Sequence, residues 1–237
     1  MLAVVVFASI LLHELAHISA AILLGGQVKG AKLSLVGLTA WVSGLENLTL
    51  WRRYIIYLAG PVTNALIAVG AWLAAWFLYC GVMQYVFMYN IVLCLFNMLP
   101  MFPLDGGRLA QLFLGNRIGI LRANRVLLRV GPAAGLVLIA FGLLQLILYP
   151  WNITLLCAGI YIRRKNKELP TALYWECLQS LQAKANKVLP TKKIILPQDI
   201  TVKRALEYLG WDYFAEIQIG KKSYISEKEL LAQLFDN

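Results

Sequence analysis

The sequence predicts a polytopic α-helical membrane protein of about five spans with a small C-terminal α+β module, on its composition, its charge placement and the length of its apolar runs. Of 237 residues, 60% are apolar and only 14% charged, and the mean hydropathy is +0.68. A soluble domain carries about 25% charged residues, so this chain has too little polar surface to stay in water. The acids are segregated as well. Glu14, Glu46 and Asp105 are the only ones before Arg163, and all others lie in the last third of the chain. An apolar body is thus followed by a soluble tail, which sets the expected boundaries: a membrane domain over 1–165, a linker with an amphipathic helix over 166–189, and a compact module over 190–237.

Runs able to cross roughly 30 Å of hydrocarbon extend over Met1–Gly25, Tyr54–Tyr79, Tyr85–Pro100 and Val130–Tyr149. The first has no Lys or Arg before it and no small-residue cleavage site after it, so it reads as a span and not as a signal peptide. A fifth run, Trp151–Ile162, follows Pro150 and is short for a crossing. Between the first two spans, Val28–Ser43 is rich in β-branched and aromatic residues punctuated by glycine, the pattern of a short hairpin at the membrane surface. The loops after spans one and three hold Lys29, Lys32, Arg52 and Arg53, then Arg108, Arg117, Arg122, Arg125 and Arg129. The tail opens on Arg163, Arg164, Lys165 and Lys167, while the turns at Gly81–Gln84 and Tyr149–Trp151 are uncharged. This alternation places both basic loops and the tail in the cytoplasm of a bacterial-type inner membrane. It also accounts for the net charge of +10, which therefore does not indicate nucleic acid. Cys80, Cys94, Cys157 and Cys177 show no metal-type spacing and no disulfide framework.

In the tail, Leu173–Ala185 reads as a helix. A strand (Ile194–Leu196), helix (Thr201–Leu209, capped by Asp199 or Thr201), strand (Phe214–Ile219), turn (Gly220-Lys221-Lys222), strand (Ser223–Ile225) and helix (Glu227–Phe235) follow, with Ser226 and Glu229 forming a capping box for the last. The order β-α-β-β-α looks like one cystathionine-β-synthase-type (CBS) module. Such modules bind adenine nucleotides between pairs, so the likeness implies ATP near Lys203, Arg204, Lys221 and Lys222, and pairing with a second chain.

Both histidines of the chain fall within His13-Glu14-Leu15-Ala16-His17, inside the first span. On a helix, residues four apart share a face, so both imidazoles can bind one zinc ion while Glu14 acts on water. Ionisable groups at mid-membrane are expensive, and three in five positions persist only when paired, coordinated or facing water. Catalytic zinc needs a third protein ligand. With no third histidine and Glu46 in a soluble-looking loop, Asp105 is the ligand by elimination; it lies where Pro100, Pro103, Gly106 and Gly107 break the third span.

The HELAH segment, Gly60-Pro61-Val62-Thr63-Asn64 in the next span, and Asn97-x-x-Pro100-x-x-Pro103-Leu104-Asp105-Gly106-Gly107 ending the third together resemble the three-span core of site-2 proteases, the intramembrane zinc metalloproteases. Short loops, the lack of a PDZ insert and the CBS-like tail resemble a branch in endospore-forming bacteria that processes an inactive, membrane-associated sigma-factor precursor. That branch has a further span before the HExxH helix, whereas this chain opens on it. The resemblance implies His13, His17 and Asp105 as zinc ligands, Glu14 as the base, and Asn97 and Asn64 as substrate contacts, Asn97 toward the backbone or oxyanion and Asn64 within a packing motif. It also implies a membrane-associated protein substrate and inhibitory membrane partner proteins. At 1.5 Å per residue His13 stands roughly 16 Å above the cytoplasmic end of its span, so water must enter by a cavity and a substrate helix must unwind locally. The competing reading is a non-catalytic metal-binding scaffold or carrier with a nucleotide-sensing tail. A carrier needs several intramembrane sites along a path, and a pure zinc site has no use for Glu14.

Overall fold

A computed structural model describes residues 2–34, 37–78, 81–149, 153–184, 189–197, 200, 202–219, 223–227 and 229–230. The chain divides into two compact units, one of residues 1–100 with 104–109, the other of 101–103 with 110–237.

In the first unit, α1 (Leu2–Leu23) leads into an antiparallel hairpin, β1 (Gln27–Ser34) with β2 (Gly37–Ser43), then α2 (Leu50–Leu78) and α3 (Gly81–Asn97). The hairpin lies where the sequence predicts it. Val42 and Leu45 pack with Ala20 and Leu24 against buried Ala21, Leu48 and Ile56, which anchors the hairpin at the C-terminal end of α1. The buried positions of α2 recur at helical spacing as Ile56, Gly60, Asn64, Ala68 and Ala71, a narrow stripe of mostly small side chains. On α1 the matching stripe is Ser9, His13, His17 and Ala21, all but His17 fully buried. The helix faces that meet are therefore polar where the histidines lie and small where room is needed for them. The fully buried Asn90 of α3 donates to Ser9 Oγ on α1 (2.9 Å), an interhelical bond, and to its own Val86 carbonyl (2.9 Å).

The second unit is built on α5 (Ile120–Leu148) and α6 (Thr154–Lys184), which pack along much of their length and come close at Gly135 and Gly159. Phe102, Leu127 and Leu173 form its buried core, and Asn166 donates to the carbonyls of Phe102 (2.8 Å) and Ile162 (2.9 Å). The residues of α4 (Asp105–Ile118) divide between the units, 105–109 belonging to the first and 110–118 to the second. Among the described residues, three helices are long and apolar enough to cross a membrane, within 3–23, 50–77 and 120–148, and 81–97 is a shorter apolar helix.

Three sequence expectations change here. The fourth apolar helix starts at Ile120, ten residues before the apolar run, because Arg122, Arg125 and Arg129 are good helix formers that extend it in polar surroundings. The polar stretch before Leu173, expected as linker ahead of a helix over Leu173–Ala185, is helical as well: α6 continues without a break from Thr154 to Lys184 through Pro170. Its Lys and Glu residues favour helix, Lys165 pairs with Glu168 (3.0 Å), and Asn166 turns inward onto the core. The tail helix expected over Thr201–Leu209 is one turn, α7 (Val202–Ala205), followed by a 3-10 turn over Leu206–Tyr208.

The tail sheet has the order β3 (Thr191–Leu196), β4 (Phe214–Ile219), β5 (Ser223–Ser226), with β3 parallel and β5 antiparallel to β4. Ser226 and Glu229 make the reciprocal capping box, Ser226 N to Glu229 Oε2 at 2.9 Å and Glu229 N to Ser226 Oγ at 3.2 Å. Lys184 and Glu227 form a buried ion pair (2.7 Å), and Glu227 also accepts from Ala215 N (2.9 Å). Glu207 accepts from Arg125 (2.6 Å) and Arg122 (3.1 Å), and those guanidinium groups hold its carboxyl below the usual range. Asp199, Thr201, the turn at 220–222 and residues 231–237 lie outside the described residues, as do the Lys203 side chain and Cys80.

Candidate metal centre

The site is assembled from three stretches of the first unit. His13 and His17 project from one face of α1, one turn apart, with ring centroids 4.7 Å apart and planes nearly perpendicular (80°). Asp105 is the first residue of α4, and its Oδ2 lies 3.0 Å from His13 Nε2 and 3.1 Å from His17 Nε2. The two Nε2 atoms are themselves 3.1 Å apart. These spacings come within about 0.3 Å of the edges of a tetrahedral zinc site, about 3.3 Å for bonds of roughly 2.0–2.1 Å. The donor set, two imidazole nitrogens and a carboxylate oxygen, is the borderline set that zinc takes. Among the described residues, His13, His17 and Asp105 are the group whose ligand atoms could hold a metal ion.

What positions each side chain is local. The Nδ1 of His17 donates to the carbonyl of Ile56 on α2 (2.7 Å), and the Asn64 amide meets His13 Nδ1 at 3.0 Å. Both rings therefore present Nε2 to Asp105. A side chain at Gly60 is impossible in this arrangement: a Cβ there would sit 2.6 Å from His13 Nε2 and closer still to His17 Nε2. The opening of α4 is similarly restricted at Gly106, where a Cβ would collide with the carbonyls of Met98 and Leu99. The break at Pro100 and Pro103 thus turns the chain after α3, and Gly106 lets α4 begin against it, which fixes the height of Asp105.

Glu14 follows His13 on α1, is partly exposed, and interacts electrostatically with both histidines and Asp105. Of the other expected site residues, Asn64 is fully buried and contacts His13, so its amide serves a ring nitrogen and not an open cleft. Asn97, the last residue of α3, donates to its own Leu93 carbonyl (3.1 Å). Sequence reasoning missed Ile56 as a partner of His17, and an apolar residue acting through its carbonyl leaves no signal in a sequence. It did single out the Gly60-Pro61 motif, but as a helix-packing device without its link to the imidazoles.

From this geometry we expect Gly60→Ala to remove the metal centre. The histidine rings are held from behind by Ile56 and Asn64, so a methyl group must displace one from its position; overpacking of this kind costs about 1–3 kcal/mol. Zinc per purified chain should fall well below that of the wild type, and full zinc content in the variant would contradict the packing described here.

The fold and the site thus define a helical membrane protein with a histidine–histidine–aspartate group that could hold a metal ion. Its backbone resembles that of the site-2 protease from Methanocaldococcus jannaschii, with a TM-score of 0.58 at 24% identity, covering 70% of this chain and 75% of that one. Residues 76–140 match Peptidase family M50. The chain is similar to a zinc metalloprotease of the same archaeon, 23% identical over 211 residues, which are 87% of this chain and 60% of that protein. It is also similar to stage IV sporulation protein FB of Bacillus subtilis, 29% identical over 124 residues, 51% of this chain and 42% of that one. The chain thus spans about three fifths of the first of these curated relatives. The match to peptidase family M50 is carried by residues 76–140, and the chain is similar to zinc metalloproteases over a longer stretch.

Proposed function

We propose that the protein is a zinc-dependent intramembrane endopeptidase that cuts a membrane-associated precursor protein near the cytoplasmic face. The observation that carries this reading is the convergence of His13 Nε2, His17 Nε2 and Asp105 Oδ2 within 3.1 Å of one another beside Glu14. Zinc held by those atoms supplies a Lewis acid for the scissile carbonyl and makes water acidic enough to lose a proton near neutral pH. Glu14 would take a proton from the attacking water at its carboxylate and return it to the leaving amine. Neutral His13 and His17 contribute nitrogen lone pairs, and Asp105 contributes the one negative charge of the ligand set. Asn97 is assigned to the substrate backbone or the oxyanion, for which its amide keeps a second N–H and its oxygen beside the bond to Leu93.

The likeness to stage IV sporulation protein FB supports a sigma-factor precursor in sporulation as the substrate class. The strand order of the tail, β3-β4-β5 with α7 between the first two strands, supports a CBS-like docking or regulatory part on the cytoplasmic side. Its ATP and second-chain partners rest on that likeness alone, with Arg204 as the described, exposed basic position. Co-expression of the full chain with candidate single-span and membrane-associated precursors is the test. A shortened product that requires this chain is the expected result, and intact precursors across the whole set would count against proteolysis.

A further inference from the structure

His13 and His17 are tied from behind by partners of different kinds. The partner of His17 Nδ1 is the Ile56 carbonyl at 2.7 Å. A carbonyl only accepts, so Nδ1 of His17 carries the proton and its Nε2 keeps the lone pair. His13 Nδ1 instead faces the side-chain amide of Asn64, 3.0 Å from Nδ2. If that nitrogen donated, the His13 proton would sit on Nε2, and the ring could not offer a lone pair toward Asp105 and His17. A half-turn of the amide exchanges its nitrogen and oxygen without moving the carbon frame, and the hydrogen-bond network decides which of the two faces a neighbour.

The geometry of the facing atoms favours the oxygen. Two Nε2 and one carboxylate oxygen at 3.0–3.1 Å form a lone-pair cage for a cation only if both rings are protonated at Nδ1. Asn64 is wholly buried, at 0% exposure, so no water competes for the His13 Nδ1 proton and the amide is its partner.

We infer that Asn64 is a positioning residue for His13: its amide oxygen accepts the Nδ1 proton, fixes the tautomer with the lone pair on Nε2, and so prepares that nitrogen for zinc. This deepens the reading of the site as a zinc centre and rests on it. It also reassigns Asn64, whose buried amide faces the imidazole, from substrate to metal. On α2, Gly60 and Asn64 then act as a pair one turn apart, Gly60 making room for the two rings and Asn64 holding one of them in the binding tautomer.

The test is the zinc affinity of the full-length protein in detergent, measured by competition with a chelator, for the wild type, Asn64→Leu and Asn64→Asp. Leucine is close in size but accepts nothing; aspartate only accepts. Removing an outer partner of a ligating histidine weakens metal binding 10–100-fold. Asn64→Leu should lose affinity by that factor, while Asn64→Asp should stay within about tenfold of the wild type, a rescue that a purely structural role does not explain. Leucine binding zinc as the wild type does would overturn the inference. So would a loss in Asn64→Asp as large as in Asn64→Leu, and a loss beyond about 100-fold in Asn64→Asp overturns it even if the leucine variant does not fold. A wild type without zinc affinity would instead remove the zinc reading underneath, and the inference with it.

Discussion

Glu14→Gln should lower cleavage by roughly 10²–10⁴-fold, the range that a positioned general acid–base supplies, while leaving bound zinc unchanged. The separation of the two effects is the informative part. Glu14 lies on the metal-binding turn of α1 but is not among the three residues whose atoms converge, so the amide preserves the ligand set and the shape of the turn. It removes only the group that can accept a proton from water. Quantification of product alongside zinc per chain reads both effects in one preparation. Near-normal turnover with full zinc would take Glu14 out of the mechanism, and loss of zinc would make it a structural member of the site.

Asp105→Ala should lower zinc affinity by more than about 100-fold and abolish cleavage with it. Even outer partners of metal ligands are worth 10–100-fold, and here one Oδ2 atom meets both imidazoles. Without the carboxylate, two neutral nitrogens face each other at 3.1 Å with no compensating charge. Glu46→Ala is the matched control. That carboxylate is in the 3-10 turn after the hairpin and outside the metal group, so its removal should leave zinc and turnover as they are. Full zinc stoichiometry in Asp105→Ala would mean that the metal is held by another set of atoms.

Much of this centre is legible in the sequence because its chemistry is scarce there. The chain has 2 histidines, and their four-residue spacing puts both on one helix face without any knowledge of tertiary structure. Asp105 could be singled out because the apolar body offers so few carboxylates, and the prolines and glycines around it mark the break from which α4 starts. The supporting contacts are not legible in the same way. Asn64 and Ile56 meet their histidines across 51 and 39 residues of sequence, and nothing local to α2 records which carbonyl or amide will face α1. Glycine at position 60 is visible as a small residue, but the reason for it, two imidazoles in the space a Cβ would fill, exists only after the helices pack. The hairpin and the Ser226–Glu229 capping box were readable because both are local patterns. The course of α6 was not: polarity after Ile162 marks the end of an apolar run, and a helix can continue past such an end.

Zinc-dependent cleavage in a defined system tests the central claim most directly. The purified full-length chain, reconstituted with a precursor that it cuts in cells, is stripped of metal with a chelator and then given back zinc. Cleavage should cease on stripping and return with stoichiometric zinc in the wild type, with no recovery in Asp105→Ala. Cleavage that persists in the stripped protein, or that returns equally in Asp105→Ala, would contradict a mechanism built on His13, His17 and Asp105.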